Sequence, residues 1–470
     1  MPGVPSGRGC EACRKQKKKC DQAKPKCARC ARLNIPCVDC GKQRYKFKES
    51  NLVHKQNQSP PQAAVATGST STSASALVFL HRPSNQADLS TLEYISLFQV
   101  DDLRYDPSCY GMFLRKIPSR MGRSETLDAS AVAVSKSLRA YQRKNIDAET
   151  LSTYVRAIRI LRGTLQDPVR ANTVDTLLSI YMVMICQGWL GQEIGPTRSH
   201  GDGIAAILNA AVEYELLPSL GFEIAYSMAL TVIFESIANP RIPMEPWLTR
   251  VIDQYAKNGE VMRDCDETLR LVRIARIPKF VREPLEHIEE IKDTYKIVQS
   301  DFTSAYERLV RVTEFCNNLG KGKRSITSLR ILVGYQTAYG IFLIVGLLLG
   351  SIVLAYDSEN TVIKEELAKY RREAVSLAHV AMEHRPLGGS HACLALAVAW
   401  AMSDDVDEQT EIWLLVEDFM KDFPQESWQD RGLWLRRRIE TIRLHQQASP
   451  KDHLDVASDP VADSCVCTVM

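Results

Sequence analysis

The sequence predicts an all-α protein with a small cysteine-rich head, a flexible linker and a large body of antiparallel helices. Two observations predict this fold class. From about residue 86, apolar residues recur with a period near 3.6 over most of the chain, and alternating strand patterns are scarce. Before that, six cysteines lie within residues 10–37, in a segment with almost no apolar side chains. At 470 residues, 45% of them hydrophobic, the chain is long enough for two or three domains.

Positive charge is concentrated at the N-terminus. Residues 1–48 carry 14 Lys or Arg against three acidic residues, a net charge of +11, whereas the rest has 45 basic and 53 acidic residues, a net charge of −8. Such asymmetry predicts a head that binds a polyanion and a mildly acidic body. Because no amphipathic stripe accompanies the charge, nucleic acid is favoured over a membrane surface as the partner.

The six cysteines form two copies of a C-x2-C-x6-C unit, at positions 10, 13, 20, 27, 30 and 37. The N-terminus has no apolar run typical of a secretory signal, so a reducing compartment and thiolate metal ligands are expected rather than disulfides. Each zinc ion takes four ligands, and two zinc ions therefore need eight ligand positions. Six thiolates fill them only if two are shared, and the symmetry-related candidates are Cys10 and Cys27.

This spacing, with its lysine-rich first gap, resembles the fungal two-zinc, six-cysteine cluster family of transcription factors. The resemblance implies two zinc ions held by Cys10, Cys13, Cys20, Cys27, Cys30 and Cys37. It also implies that each half is a short helix followed by a strand-like segment. Pro25 stands where the family often has proline, and Asn34 stands where glycine is common; asparagine tolerates positive φ better than most residues. A zinc ribbon used only for structure is the alternative, but it would not need the basic run RKQKKK.

The basic residues of the head are predicted to contact DNA in two ways. The helix after Cys10 is expected to present Arg14, Lys15, Lys17, Lys18 and Lys19 over less than two turns and to point its end into the major groove. In the resembling family a CGG-like triplet is read from the third and fourth positions after the second cysteine, which implies base contacts by Gln16 and Lys17, with Lys18 in reserve. Because glutamine favours adenine, Gln16 leaves the exact base sequence of the triplet undecided. Phosphate contacts are expected from Arg14, Lys15, Lys19, Lys24, Lys26 and Arg29.

Residues 41–85 are predicted to be a basic and then low-complexity linker. The stretch VDCGKQRYKFKES interleaves cations with Tyr45 and Phe47, and it fits a longer phosphate footprint, a nuclear import signal or a solvated linker. Residues 56–80 carry no charge and are rich in Ser, Thr, Gln, Pro and Ala, a composition typical of flexible tethers. No heptad pattern occurs here, so a coiled-coil dimer is not predicted and a homodimer stays an open alternative.

Residues 86–447 are predicted to be helical. Around residues 147–168, Asp147 is the expected helix cap, Pro168 follows the end, and one apolar stripe consists of Leu151, Tyr154, Val155, Ile158, Leu161 and Leu165. Similar patterns occur near residues 124–144, 173–190, 218–238, 283–318, 361–384, 407–421 and 428–446.

Two stretches of this body look like the fungal-specific regulatory domain found downstream of such clusters. They are YMVMICQGWLGQEIGPTRSHGDGIAAIL, with Trp189, and HRPLGGSHACLALAVAWAMSDD, with Pro386 and Leu387. The resemblance implies that the body regulates the factor or recruits other proteins.

Two features suggest a membrane instead. Residues 331–356 are uncharged and long enough to span a bilayer, although Gln336, the glycines and the position within a helical series favour a buried central helix. The last four residues, CTVM, fit the C-a-a-X pattern for farnesylation of Cys467, and Cys465 could accept palmitate. The segment before them is acidic rather than polybasic, which counts against an anchor. Residues 448–470 are otherwise expected to be a disordered tail.

These patterns together predict a nuclear, sequence-specific transcription factor of RNA polymerase II genes, with its DNA-binding domain at residues 8–40. Its expected partners are double-stranded DNA and the transcription machinery or co-regulators. The alternative is a lipid-anchored or membrane-tethered helical interaction protein with a latent DNA-binding head. No G-x-S-x-G, phosphate-binding Gly-x4-Gly-Lys-Ser/Thr or H-E-x-x-H motif occurs, so enzyme activity is not expected.

Overall fold

The computed structural model describes residues 9–38, 85–191, 200–256, 267–319, 324–423 and 428–447. The chain divides into two compact units, Met1–Phe79 and Leu80–Met470. Within the described residues both units are helical and neither contains a strand, which confirms the predicted all-α class.

The first unit contains two five-residue helices, α1 (Glu11–Lys15) and α2 (Ala28–Arg32). Four cysteines that begin or belong to these helices are completely buried, and the other two cysteines of the repeat pack against them. Because five-residue helices are far below the length that is stable alone, this unit depends on what its cysteines bind.

The second unit is built from helices joined mostly by short connections. In chain order the α-helices are α3 (Gln86–Ser96), α4 (Glu125–Arg143), α5 (Ala148–Leu165), α6 (Pro168–Ala171), α7 (Val174–Leu190), α8 (His200–Glu213), α9 (Leu217–Leu220), α10 (Phe222–Ala238), α11 (Trp247–Ala256), α12 (Leu271–Ile274), α13 (Ile277–Arg282), α14 (Pro284–Asn318), α15 (Ile326–Tyr356), α16 (Thr361–Ala381), α17 (Ala392–Ala401), α18 (Val406–Met420) and α19 (Trp428–Gln447). Short 3-10 helices cover Pro107–Tyr110, Met112–Ser119, Glu267–Leu269 and Met382–His384.

Helix starts follow the polar residues expected at N-caps. The Asp147 carboxylate accepts a hydrogen bond from the Thr150 N–H at 2.7 Å, which confirms the predicted cap of α5. Pro168 opens the next short helix rather than only following the previous one. The backbone N–H groups left unpaired at these starts are thus satisfied by the chain itself.

The apolar stripe predicted for α5 is only partly correct. Tyr154 and Leu161 are buried, but Val155 and Leu165 are 48% and 47% exposed. The buried face also includes Thr164, whose hydroxyl lies 2.6 Å from the hydroxyl of Thr126 on α4. The face of α5 that packs against α4 therefore includes a hydroxyl pair, and it leaves two residues of the predicted apolar stripe in contact with solvent.

The second unit has two hydrophobic cores. The first draws its residues from α3 to α12, with Leu387 and Phe423 added from far along the chain. The second extends from the end of α10 to α19. Phe234 and Ile341 pack against both cores. A buried ion pair also crosses between them, because Arg330 on α15 contacts Asp106 at 2.5 Å.

Helix α15 lies at the centre of the second core. Among the described residues it is the one helix long and apolar enough to cross a membrane, yet 83% of its most hydrophobic 18-residue window is buried within the protein. It packs against α13, α14, α16, α17 and α19. This placement agrees with the predicted central helix and not with a membrane span.

Candidate metal centre and nucleic-acid interface

The two halves of the first unit repeat the same helix ending. After α1, Lys17 adopts φ +52° and the Lys18 N–H donates to the Cys13 carbonyl at 2.9 Å. After α2, Asn34 adopts φ +47° and the Ile35 N–H donates to the Cys30 carbonyl at 3.1 Å. Both endings are Schellman turns, which need a left-handed residue one position past the helix cap. The repeat in sequence is therefore a repeat in backbone structure.

Each half also contains the same contact between its first and last cysteines. The Cys10 N–H points at the Cys20 sulfur at 3.5 Å, and its counterpart Cys27 N–H points at the Cys37 sulfur at 3.3 Å. These pairs tie the start of each helix to the last cysteine of the same half.

Contacts between the halves involve the residue that follows the last cysteine of each half. The Ala28 N–H donates to the Asp21 carboxylate at 3.0 and 3.2 Å, and the Glu11 N–H donates to the Val38 carbonyl at 3.0 Å. In each case one half caps the helix of the other, so the unit has an approximate two-fold symmetry.

The cysteine sulfurs form two groups of four. One group is Cys10, Cys27, Cys30 and Cys37, and the other is Cys10, Cys13, Cys20 and Cys27. Within each group all sulfurs lie within 4.8 Å of one another. Cys10 and Cys27 belong to both groups.

Sulfur distances test whether zinc would fit these groups. Cys10 lies 3.8 Å from Cys27 and 3.6 Å from Cys30, and Cys13 lies 3.8 Å from Cys27, each measured between Sγ atoms. Four sulfurs placed tetrahedrally about 2.3 Å from a zinc ion are about 3.8 Å apart. Each group could therefore hold one tetrahedral ion, with two sulfurs shared between the ions.

Burial changes the acidity of these thiols. Burial and the neighbouring Cys10 raise the pKa of the Cys13 thiol to about 12, and burial also raises the pKa of Cys30. In contrast, the hydrogen bond from the Cys30 backbone N–H lowers the pKa of Cys27. Thiolates in such a buried group need a compensating cation, which a divalent metal supplies.

The predicted basic helix is shorter than expected. Helix α1 ends at Lys15, so Lys17, Lys18 and Lys19 follow it and lie on the turn rather than on the helix. The helix stops because Lys17 takes the left-handed backbone conformation that the Schellman turn requires. All three lysines are exposed.

The remaining cations of the head differ in their surroundings. Lys15 pairs with Glu11 at 3.1 Å on α1, and Lys24 and Lys26 are exposed. Arg29 is half-buried and donates to the side chain of Gln16. The side chain of Arg14 lies outside the described residues, as do Tyr45, Phe47, Cys465 and Cys467.

Comparison with known protein families decides what this cysteine arrangement is. Residues 8–46 match the family model of the fungal Zn(2)-Cys(6) binuclear cluster domain. The head is a zinc-cluster domain. It binds two zinc ions and implies a DNA-binding transcription factor of the fungal zinc-cluster class, which is not a class of enzymes. No curated protein and no solved structure matches this chain.

The match to the zinc-cluster domain ends at residue 46, six residues beyond the predicted boundary at 40. It does not reach the helical body, so the regulatory identity predicted for that body stays a prediction. Sequence reasoning missed the contacts of the domain that cross between its halves, above all Asp21 to Ala28 and Arg29 to Gln16. The 17-residue repeat was the available signal for the first of these contacts, because Asp21 and Val38 occupy equivalent positions one repeat apart.

A separate cavity lies in the helical unit, far along the chain from the zinc-cluster domain. Its volume is about 710 Å³, and its lining includes Tyr141, Lys144, Trp189, Arg385 and Pro386. Trp189 and Pro386 belong to the two stretches that resemble a regulatory domain. The cavity therefore brings together two segments that the sequence marked separately.

Proposed function

We propose that the chain is a nuclear, sequence-specific transcription factor of RNA polymerase II genes that reads a CGG-like triplet in the major groove. The observation that carries this proposal is the pair of four-sulfur groups sharing Cys10 and Cys27, with an exposed run of lysines between Cys13 and Cys20. A site that served only to stabilise a fold would need the sulfurs but not the lysines. The zinc-cluster family match at residues 8–46 supports the same conclusion.

We assign the metal ligands from the two sulfur groups. Cys10 and Cys27 are proposed to bridge the two zinc ions, and each ion is completed by two further cysteines of its group. These terminal ligands are Cys13 and Cys20 for one ion and Cys30 and Cys37 for the other. The zinc ions hold the two halves together and the cysteines stay as thiolates.

Base reading is assigned to the turn after α1. Lys17 is proposed to donate to guanine O6 and N7, with Lys18 beside it and Gln16 as a third base contact. The turn supports this role because it exposes all three side chains. Phosphate contacts are proposed for Arg14, Lys15, Lys19, Lys24, Lys26 and Arg29.

The helical body is proposed to act as the regulatory part of the factor. It has two cores of its own and a cavity where the two stretches resembling a regulatory domain meet. Its proposed partners are co-regulators or the transcription machinery.

Selection of bound sites from random DNA tests the proposed function. The zinc-loaded full chain, at one stated salt concentration, should enrich a CGG-like triplet, and a chelator should abolish the enrichment. The chain with Cys10→Ala and Cys27→Ala is the matched control and should enrich nothing. Enrichment by this control, or no enrichment by the zinc-loaded protein, would contradict the proposal.

The membrane-tethered alternative rests on the C-terminal CTVM alone, which lies outside the described residues. The burial of α15 counts against a spanning helix. A lipid on Cys467 would add a farnesyl mass to the native C-terminal peptide, so intact-peptide mass spectrometry separates the two functions. An unmodified peptide would exclude the lipid-anchored function.

A further inference from the structure

We propose that Arg29, in the second half of the zinc-cluster domain, sets the base preference of Gln16 in the first half. In this arrangement Gln16 reads a guanine rather than the adenine that glutamine usually selects. The inference rests on the proposed DNA-binding function and adds a specificity-determining residue to it.

The contact between the two side chains fixes the orientation of the Gln16 amide. Arg29 Nη2 lies 2.5 Å from Gln16 Oε1. A guanidinium group has only hydrogen-bond donors, so the Gln16 atom facing it must be the oxygen and not the nitrogen. The amide nitrogen of Gln16, with two N–H donors, is left for another partner.

Part of the Arg29 guanidinium group is buried. Its Nη1 atom is buried and has no hydrogen-bond partner among the described residues. The guanidinium group is therefore held beside Gln16 by the bond from Nη2 and by the burial of Nη1.

The consequence for base reading follows from the donor and acceptor patterns of the major groove. Glutamine selects adenine by accepting from N6 through Oε1 while donating to N7 through Nε2. With Oε1 turned toward Arg29, Gln16 presents its Nε2 donors to the groove, and guanine presents two acceptors, N7 and O6, on one edge. Gln16 then presents hydrogen-bond donors to the base, as the neighbouring Lys17 does, but without a charge.

Site selection with the full zinc-loaded chain tests this pairing. The position read by Gln16 is the one whose base preference disappears in Gln16→Ala. At that position the wild type should select guanine, and Arg29→Met should shift the guanine-to-adenine ratio toward adenine by about tenfold, within the range of one base-specific contact. Arg29→Met in the Gln16→Ala background should change nothing at that position.

Two further variants keep the test decisive. Gln16→Lys has donors only, so it should select guanine whether or not Arg29 is present. Arg29→Gln keeps a polar side chain but no longer offers donors only, and it should give the same shift as Arg29→Met if the latter fails to hold two zinc ions.

The outcomes separate this inference from the proposed function. If the wild type enriches a site but prefers adenine at the Gln16 position, or if neither Arg29 variant changes the ratio, the role of Arg29 is wrong while the DNA-binding function stands. If Gln16→Ala alters no base preference, Gln16 reads no base and the inference also fails. If the wild type enriches no site, the proposed function itself has failed.

Discussion

Lys17 and Asn34 are one repeat period apart, and both adopt a left-handed backbone after a five-residue helix. Residues with a Cβ are strained in this conformation, and asparagine is strained less than most. The first half nevertheless has a lysine there. The proposed base contact by Lys17 would explain why a lysine stands there despite the backbone strain, whereas Asn34, in the half without the lysine run, relieves that strain.

Replacement of Asn34 by a β-branched residue should weaken the zinc cluster. Asn34→Val is expected to cost about 1–2 kcal/mol, because valine is strained at positive φ. Since folding of the head is linked to zinc, the cost should appear as roughly a tenfold loss in zinc affinity. Competition with a chromophoric chelator measures it. Leu33→Val, one residue earlier at φ −92°, is the matched control, and an equal loss there would contradict the backbone explanation.

Single lysines of the head should differ in what they contribute to DNA binding. Lys17→Ala is expected to lower the ratio of specific to random DNA affinity by about tenfold, because a base contact is lost. Lys26→Ala should weaken both DNAs alike and reduce the salt slope by about one. Titrations at several salt concentrations distinguish the two effects. Equal losses on both DNAs for Lys17→Ala would refute its role as a base reader.

Among the secondary-structure elements, α15 shows how glycine allows close helix packing. A Cβ on Gly350 would lie 2.8 Å from Leu367 on α16 and 2.9 Å from Tyr295 on α14. A Cβ on Gly346 would lie 3.0 Å from Tyr370. These glycines allow α14 and α16 to approach α15 from both sides, which explains why an apolar helix of 31 residues is enclosed by protein.

Filling this close contact should destabilise the body. Gly350→Ala is expected to lower the free energy of unfolding by about 1–3 kcal/mol, as overpacking of a dense core does. Gly334→Ala on the same helix has nothing within 4 Å of the new methyl group, so it should be neutral or stabilise by up to about 1 kcal/mol. Urea unfolding followed by circular dichroism compares them. The packing explanation fails if the two variants shift the midpoint in the same direction.

At the scale of the whole molecule, the two units owe their stability to different causes. The head has four buried cysteines as its core, whereas the body has two extensive apolar cores and a buried ion pair. The charge divides in the same way, with +11 on residues 1–48 and −8 on the remainder. Metal removal should therefore affect one unit and spare the other.

Chelation of zinc from the full chain should abolish DNA binding while most helical signal is retained. Within residues 9–38 the head has only two five-residue helices, so the far-ultraviolet circular dichroism spectrum should change little. Binding to the selected site should be lost because the metal no longer holds the turn after α1 in place. Added zinc should restore it. Retained DNA binding after complete zinc removal would show that the metal does not organise the head.

The zinc-cluster domain was largely predictable because its geometry is local in sequence. Cysteine spacing brings the sulfurs together, and Cys10 and Cys27, one repeat apart, belong to both four-sulfur groups. The end of α1 at Lys15 was not predictable, because a lysine run is compatible with helix and only the Schellman turn ends it. The pairing of Arg29 with Gln16 depends on the two halves meeting, which no short window reveals.

The sequence by itself determined the all-α class, the metal-binding head and its positive charge, because these follow from periodicity, ligand spacing and composition. Tertiary structure decided which face of α5 is buried, where α15 lies and what Gln16 contacts. The physical reason is that helix formation and metal ligation use neighbouring residues, whereas burial depends on which distant segments pack against a surface. Thr126 beside Thr164, and Leu367 and Tyr295 beside Gly350, are such distant partners.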